Sequence, residues 1–311
     1  MKRLLLTGGA GMVGRNIREH PAAARYTLIA PSRADVDLND ARSVAAFVKD
    51  ARPDLVIHAA GRVGGIQANM ADPVGFLSEN LQMGLNVIHA AHRAGVPRLL
   101  NLGSSCMYPR EAQNPLDEEM ILTGALEPTN EGYALAKIVA GRLCTYISAQ
   151  DPTYQYKTLI PCNLYGRHDA FAAERSHLVP SVIRKLDDAV ARGERTVEIW
   201  GDGRARREFM YAGDLADCIF QAVERFASVP PVMNVGVGVD HTVTEYYRAA
   251  AEVVGFTGEF SFDLSKPVGM ARKLVSTTRA RAWGWQAKTS LLDGLTRTYQ
   301  FYRDLNRKEA A

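Results

Sequence analysis

The sequence predicts an α/β fold: a doubly wound parallel sheet joined by a smaller, discontinuous C-terminal domain. Three observations carry that prediction. The apolar run Leu4-Leu5-Leu6 leads straight into a glycine-rich turn, apolar strand-length runs then alternate with helix-length segments, and this rhythm changes near residue 166. Such alternation implies parallel strands with helices on both faces. At 311 residues and 47% hydrophobic, the chain can bury one large core or two joined ones.

Leu4-Leu5-Leu6 reads as a buried parallel strand. It feeds Thr7-Gly8-Gly9-Ala10-Gly11-Met12-Val13-Gly14, after which Arg15-Asn16-Ile17-Arg18 reads as helix. Glycines here let the backbone turn tightly and approach a pyrophosphate, which the free N–H groups of the helix start then stabilise. That makes the sheet Rossmann-type and nominates Gly8, Gly11, Met12, Val13 and Gly14 for dinucleotide binding. The second strand, Tyr26-Thr27-Leu28-Ile29-Ala30, runs into Pro31-Ser32-Arg33, with no carboxylate until Asp35. An acidic residue at this strand end marks NAD, whereas a nearby arginine accommodates a 2′-phosphate. Ser32 and Arg33 therefore favour NADP(H).

A helix at about 40–50 precedes the strand Leu55-Val56-Ile57-His58, whose end, Ala59-Ala60-Gly61, puts Ala60 and Gly61 beside the cofactor. A long helix at about 74–94, the strand Arg98-Leu99-Leu100-Asn101-Leu102, a helix at about 131–150 and a strand from Tyr154 to Ile160 follow. Right-handed crossovers bring the turns after Leu6, Ile57 and Leu102 to one edge, where the ligand is expected.

Beyond this point a polar loop from His168 to Glu174 precedes a helix from Pro180 to about Arg192 and the strand Thr196-Val197-Glu198-Ile199-Trp200. A helix from Asp214 to Phe226 and the strand Val232-Met233-Asn234-Val235 then return to the first sheet. The expected division is a dinucleotide-binding domain of residues 1–165, rejoined by about 213–236, and a substrate domain of 166–212 and 237–311. The charged, Ala-rich tail after Asn306 is expected to fray.

Bulk properties exclude several classes. A net charge of +3 with 23% charged residues gives no reason to expect a nucleic-acid partner. Four cysteines without paired spacing read as free thiols of a reducing compartment, and with no CxxC or zinc spacing no metal is expected. No apolar run approaches the roughly 18 residues of a membrane span, and the stretch after Met1-Lys2-Arg3 is broken by Gly8 and Gly9. A cytoplasmic protein is expected.

Tyr133 and Lys137 carry the chemistry. Residues four apart on a helix share a face, with Cβ atoms roughly 5–6 Å apart. An ammonium placed there favours tyrosinate; bringing a phenol pKa from near 10 to about 7 takes roughly 4 kcal/mol, at about 1.36 kcal/mol per unit. Such a tyrosine exchanges protons with a carbonyl or alcohol oxygen at neutral pH. With the preceding Gly103-Ser104-Ser105-Cys106 turn and the glycine-rich start, the set points to hydride chemistry on a nicotinamide. Ser104 is the candidate hydroxyl, with Ser105 as the alternative.

These segments resemble the extended short-chain dehydrogenase/reductase family across essentially the whole chain, and within it the GDP-L-fucose synthase branch. The resemblance is carried by Gly11-Met12-Val13-Gly14, Val63-Gly64-Gly65-Ile66, Gly103-Ser104-Ser105-Cys106-Met107-Tyr108-Pro109, Leu126-Glu127-Pro128-Thr129-Asn130 and Tyr133-Ala134-Leu135-Ala136-Lys137. Asn163-Leu164-Tyr165-Gly166, Ser176-His177-Leu178-Val179-Pro180 and Arg207-Glu208-Phe209 complete it.

The resemblance implies NADPH-dependent reduction, with C3/C5 epimerisation, of a GDP-linked 4-keto-6-deoxy sugar. In that reading Tyr133 protonates O4, Lys137 binds the nicotinamide ribose, Ser104 hydrogen-bonds the C4 carbonyl, and Cys106 and His177 form the epimerisation pair. Asn163, Arg184, Lys185, Trp200, Arg207 and Lys273 line the nucleotide-sugar site, and the helices at about 74–94 and 131–150 pair across a homodimer.

Three positions depart from the family pattern: Gly9-Ala10 lacks an arginine in the glycine turn, Gly132 replaces a proline, and Val268-Gly269-Met270-Ala271 replaces an Asp-Gly-Thr-Pro loop. Reduction alone, on another such sugar including a heptose, therefore stays open. So do a 4-epimerase and, in a different class, a noncatalytic NADP-sensing protein. A 4,6-dehydratase is disfavoured, because Ser105-Cys106 offers no acidic residue beside the catalytic hydroxyl.

Overall fold

The computed structural model describes residues 1–172, 176–266 and 270–309. Glu174, Val268 and Gly269, which belong to the expected polar loop and the departing substrate loop, lie outside the described residues.

In chain order the first half comprises β1 (Arg3–Thr7), α1 (Met12–Glu19), β2 (Thr27–Ile29), α2 (Ala41–Ala51), β3 (Leu55–His58), α3 (Ile66–Ala71), α4 (Pro73–Arg93), β4 (Arg98–Leu102), α5 (Glu131–Gln150) and β5 (Gln155–Pro161). The second half comprises β6 (Asn163–Tyr165), α6 (Leu178–Arg192), β7 (Thr196–Trp200), β8 (Arg206–Arg207), β9 (Phe209–Tyr211), α7 (Ala212–Glu224), β10 (Val232–Val235), β11 (His241–Thr242), α8 (Val243–Val254), β12 (Glu259–Asp263), β13 (Arg272–Lys273), α9 (Thr278–Trp283) and α10 (Leu291–Glu309). Helix α10 runs through the charged tail to Glu309, and the end of the tail, expected to fray, lies outside the described residues.

The main sheet has the order β10-β5-β4-β3-β1-β2, with every neighbouring pair parallel. Its strands read as continuous apolar runs because helices cover both faces. Leu4, Leu6, Ile57, Leu100 and Leu159 face one core, shared with α7 residues such as Ile219 and Phe220. Leu5, Val56, Leu99 and Tyr156 face the other, against Val44 and Val48 of α2 and Val87 and Ile88 of α4. This alternation of side-chain direction along each strand builds the two layers.

The chain runs from β1 outward to β2, then returns to place β3 on the other side of β1. The order reverses there, and a crevice opens beyond the strand C-termini, where ligands of such sheets bind. The turns after β1, β3 and β4 all emerge on this edge.

A separate apolar cluster holds the second half together, centred on Val179, Ile183 and Leu186 of α6, Ile199 of β7, Tyr246 of α8 and Leu295 of α10. Smaller sheets accompany it: β12 beside β7, β6 beside β9, and β8 between β11 and β13. Across β8 and β13, Arg207 pairs in register with Lys273.

Candidate active site

The glycine turn is shaped by contacts that exclude side chains. Gly8 sits at φ +74°, and a Cβ there would lie 2.7 Å from the Ala60 backbone. A Cβ on Gly14 would lie 2.1 Å from the Gly8 carbonyl oxygen. Only glycine lets β1, the start of α1 and the end of β3 approach this closely. Gly11, at the N-cap of α1, has no side chain with which to cap the first N–H groups of the helix, which leaves them to a ligand. This cradle fits a dinucleotide pyrophosphate.

Asp35, the first carboxylate after β2, accepts hydrogen bonds from the backbone N–H and hydroxyl of Ser32, both at 2.7 Å. The carboxylate is thereby held within the turn, and Arg33 is exposed. A Cβ on Gly61 would stand 3.6 Å from the Lys137 Nζ, so Ala60-Gly61 and Lys137 share one wall. The Arg62 N–H donates to Asn80 Oδ1 at 2.9 Å, which ties this wall to α4.

Below the wall, Thr7 and His58 are partners at the ends of β1 and β3. Their side chains meet at 2.8 Å between Thr7 Oγ1 and His58 Nδ1. Burial, reinforced by the nearby Lys137 charge, pushes the imidazole pKa down to about 3, so His58 is neutral.

At the end of β4, Ser104 stands at the centre of a compact cluster. Its hydroxyl oxygen accepts from the Cys106 thiol at 3.2 Å and from the Cys106 backbone N–H at 3.4 Å. The Ser104 hydroxyl also acts on the Tyr133 phenol, favouring its ionised form. Of the two candidate hydroxyls, Ser104 is the one that acts on Tyr133; Ser105 is buried beside it. The turn is anchored by Tyr108, whose hydroxyl donates to Asn234 Oδ1 of β10 at 2.6 Å.

The expected electrostatics of Tyr133 are corrected. Lys137 Nζ donates to the Leu102 carbonyl at 2.9 Å and lies 5.8 Å from the centre of the Tyr133 ring. Burial pushes the Tyr133 pKa up from the ordinary value, the nearby Cys106 adds to the rise and the Ser104 hydroxyl opposes it, while burial pulls Lys137 down to about 8. Desolvation dominates at both groups, so the phenol keeps its proton.

Cys106 is buried, and burial raises its thiol pKa; Lys273 is the leading opposing influence, followed by Ser104. The charges of Arg207 and Glu127 also act on Lys273. Cys106, Lys273, Arg207 and Glu127 thus form one electrostatic neighbourhood, although they come from four separate segments. His177 is the N-cap of α6, makes no capping bond, and has its pKa lowered by burial. Among the described residues no hydrogen bond or ion pair joins His177 to Cys106.

The other predicted substrate residues divide. Lys185 lies 5.3 Å above the Trp200 ring, forming a half-exposed cationic and aromatic patch. Arg184 pairs with Asp188 at 3.7 Å. The Asn163 amide donates to the Glu208 carbonyl at 3.0 Å and so bridges β6 to the β8–β9 segment.

Sequence reasoning assigned no role to Glu127, Glu208, Thr7 or His58. Glu208 is fully buried, and its carboxylate accepts from the Gly238 N–H at 2.7 Å and the Val275 N–H at 2.9 Å. It thereby locks in place the segment that carries Lys273. The signal available was the Arg207-Glu208-Phe209 motif, a carboxylate leading into an apolar strand. For Thr7 and His58 the signal lay in strand pairing alone. Among the described residues, no cluster of three or more His, Cys, Asp or Glu side chains could hold a metal, and no helix is long and apolar enough to cross a membrane.

The profile of the NAD dependent epimerase/dehydratase family matches residues 4–236. The chain is 51% identical to a GDP-L-colitose synthase of Yersinia pseudotuberculosis, over 98% of this chain and 99% of that protein. It is 50% identical to a GDP-L-fucose synthase of Azorhizobium caulinodans, over 97% of this chain and 96% of that one. Its fold is similar to that of a GDP-D-glycero-L-gluco-heptose synthase from Campylobacter jejuni, solved in the presence of NADPH, with a TM-score of 0.90, 29% identity and coverage of 97% and 98%.

Proposed function

The chain belongs to the NAD dependent epimerase/dehydratase family, and on that premise we propose that it is an NADPH-dependent reductase of a GDP-linked 4-keto-6-deoxy sugar that also epimerises C3 and C5. One observation supports the reading: the Cys106 thiol donates to the Ser104 hydroxyl at 3.2 Å, and both Ser104 and Cys106 act on the buried Tyr133 phenol beside the dinucleotide cradle. Residues 1–165 with about 213–236 hold the dinucleotide in this proposal, and 166–212 with 237–311 hold the nucleotide sugar.

NADPH, when bound, supplies the hydride for the carbonyl carbon. Ser104 hydrogen-bonds the C4 carbonyl, and Tyr133, kept neutral by burial, gives its proton to O4. Lys137, on the same wall as Gly61, is placed for the nicotinamide ribose. A C4 carbonyl acidifies the C3 and C5 hydrogens, and inversion then needs proton exchange on both faces of the ring. Cys106 and His177 serve as that pair. Arg207 and Lys273, adjacent in register, meet the diphosphate, where Arg can make bidentate contacts. Arg184, Lys185, Trp200 and Asn163 complete the substrate side.

The test is turnover of GDP-4-keto-6-deoxymannose with NADPH in D₂O, read by mass spectrometry and proton NMR. NADPH consumption with deuterium at C3 and C5 of a GDP-L-fucose product is the expected result. Reduction without deuterium at either carbon supports the second reading, a reductase acting on another GDP-linked 4-keto sugar such as a heptose. That reading is favoured by the departure of Val268-Gly269-Met270-Ala271 from the family's substrate-loop pattern. Absence of turnover and exchange overturns the GDP-hexose assignment.

A cytoplasmic homodimer is part of the proposal. Leu135, Val139 and Tyr146 are 37%, 40% and 64% exposed along one side of α5, a spacing that makes a single apolar stripe. Light scattering of wild type and Tyr146→Glu tests it, with a dimer and a monomer expected.

A further inference from the structure

Two buried amide oxygens near the reacting cluster have no protein donor among the described residues. Asn69, in α3, is 6% exposed, and its Nδ2 donates to the Gly64 carbonyl at 2.9 Å and the Gly65 carbonyl at 3.0 Å. Both partners are acceptors, so the amide has only one sensible orientation: turned over, its oxygen would face two carbonyl oxygens. Asn69 Oδ1 therefore points away from them, buried and without a hydrogen-bond partner among the described residues. Asn130 ends the 3₁₀ turn Pro128–Asn130 and stands at the N-cap of α5, but its side chain makes no capping bond. Its Oδ1 is likewise buried and unpartnered among the described residues.

These two acceptors lie on elements that touch, since α3 packs on the turn 128–130. The seam adjoins the reacting groups. Asn130 lies just before Tyr133, one helical turn away, and a Cβ on Gly65 would stand 3.9 Å from the Ser176 carbonyl, next to His177. A buried acceptor left without a donor costs about 1–3 kcal/mol, and native folds contain few of them. Two at one seam call for a ligand that brings hydrogens. The diphosphate of a nucleotide sugar is itself an acceptor, so amide oxygens do not suit it. Ring hydroxyls donate.

We propose that Asn69 and Asn130 form a subsite that accepts hydrogen bonds from the hydroxyl groups of the sugar ring, and so set which sugar the enzyme takes. The proposal rests on the GDP-sugar reading above. Asn130 provides the clean test, because its side chain holds nothing else in place. Asn69→Ala is the second variant, and it also removes the two bonds to the 64–65 loop.

The experiment is calorimetric titration of wild type, Asn130→Ala and Asn69→Ala with GDP and with GDP-mannose, each in saturating NADP⁺. Wild type is expected to bind GDP-mannose more tightly than GDP. In both variants GDP affinity should hold while the GDP-mannose advantage falls by roughly tenfold, as loss of one buried hydrogen bond entails. Retained GDP binding shows that the variant is folded. An unchanged GDP-mannose advantage in Asn130→Ala and Asn69→Ala overturns the subsite and leaves a structural water as the occupant of the seam. A loss of GDP affinity itself also overturns it, by moving the contact to the nucleotide. If wild type binds neither compound, the GDP-sugar reading fails and the subsite proposal fails with it.

Discussion

The Lys137 ammonium stands 5.8 Å from the centre of the Tyr133 ring while donating a 2.9 Å hydrogen bond to the Leu102 carbonyl. The two residues share a helix face, yet the lysine is tethered to the end of β4. Its charge is accommodated by a backbone dipole and costs stability through burial.

That arrangement has a pH signature. Lys137 titrates near 8 in the folded chain, below the ordinary lysine value of 10.5, because burial disfavours its charge. Between these limits the unfolded chain binds more protons, so stability from this group rises with pH. Lys137→Met lacks that rise. Its melting temperature, compared with wild type in the absence of nucleotide, should become relatively less favourable from pH 7 to pH 9.5.

Tyr133 is expected to act as an acid. Tyr133→Phe keeps the ring and removes the proton, so single-turnover reduction should slow by about 10²–10⁴-fold, the usual contribution of a positioned acid. NADPH binding, followed by fluorescence, should stay within a few-fold of wild type. A variant that reduces at the normal rate would assign the proton to another group.

The glycine cradle is sterically exacting at Gly14. A Cβ there would lie 2.1 Å from the Gly8 carbonyl and 2.6 Å from the Gly9 Cα. Backbone has to move to accept it, so Gly14→Ala should weaken NADPH binding by at least about tenfold, or destabilise the fold by about 1–3 kcal/mol, the usual range for overpacking. Fluorescence titration and thermal melting separate these outcomes.

Glu208 supplies a second pH test, of opposite sign. Burial pushes its carboxyl pKa up to about 7 from 4.5. The folded chain then holds a proton that the unfolded chain has lost, so the contribution of this group to stability falls as pH rises from about 4.5 to 7. Glu208→Gln removes the slope and disturbs the acceptors of the Gly238 and Val275 N–H groups. The variant should melt lower than wild type at pH 5, and the gap should narrow towards pH 7.5.

Much of the fold was legible because its signals are local. The apolar runs of β1, β3 and β4 and the glycine spacing placed the crevice, and strand and helix ends shifted by only a few residues. Helix α6, for example, begins at Leu178 rather than Pro180, because His177 can serve as its N-cap residue. The Gly132 departure also has a structural reason. A Cβ there would lie 3.1 Å from the Leu77 Cβ and the Pro73 carbonyl, so the small residue lets α5 approach α4 closely. The role of Glu208 was not legible, since its partners, Gly238 and Val275, are remote in sequence.

Local sequence signals suffice for the parallel sheet, the dinucleotide cradle and the placing of Tyr133 and Lys137 on one helix face. Each follows from short-range sterics and periodicity: glycine where no Cβ fits, apolar runs where both faces are covered, a four-residue spacing on a helix. Tertiary structure alone decided the state of those groups. It brought Lys273 to Cys106 and Arg207 and Glu127 to Lys273, turned Lys137 towards Leu102, and left Asn69 and Asn130 without donors among the described residues. Charge interactions depend on distance and on the surrounding dielectric, and both are set by how remote segments pack.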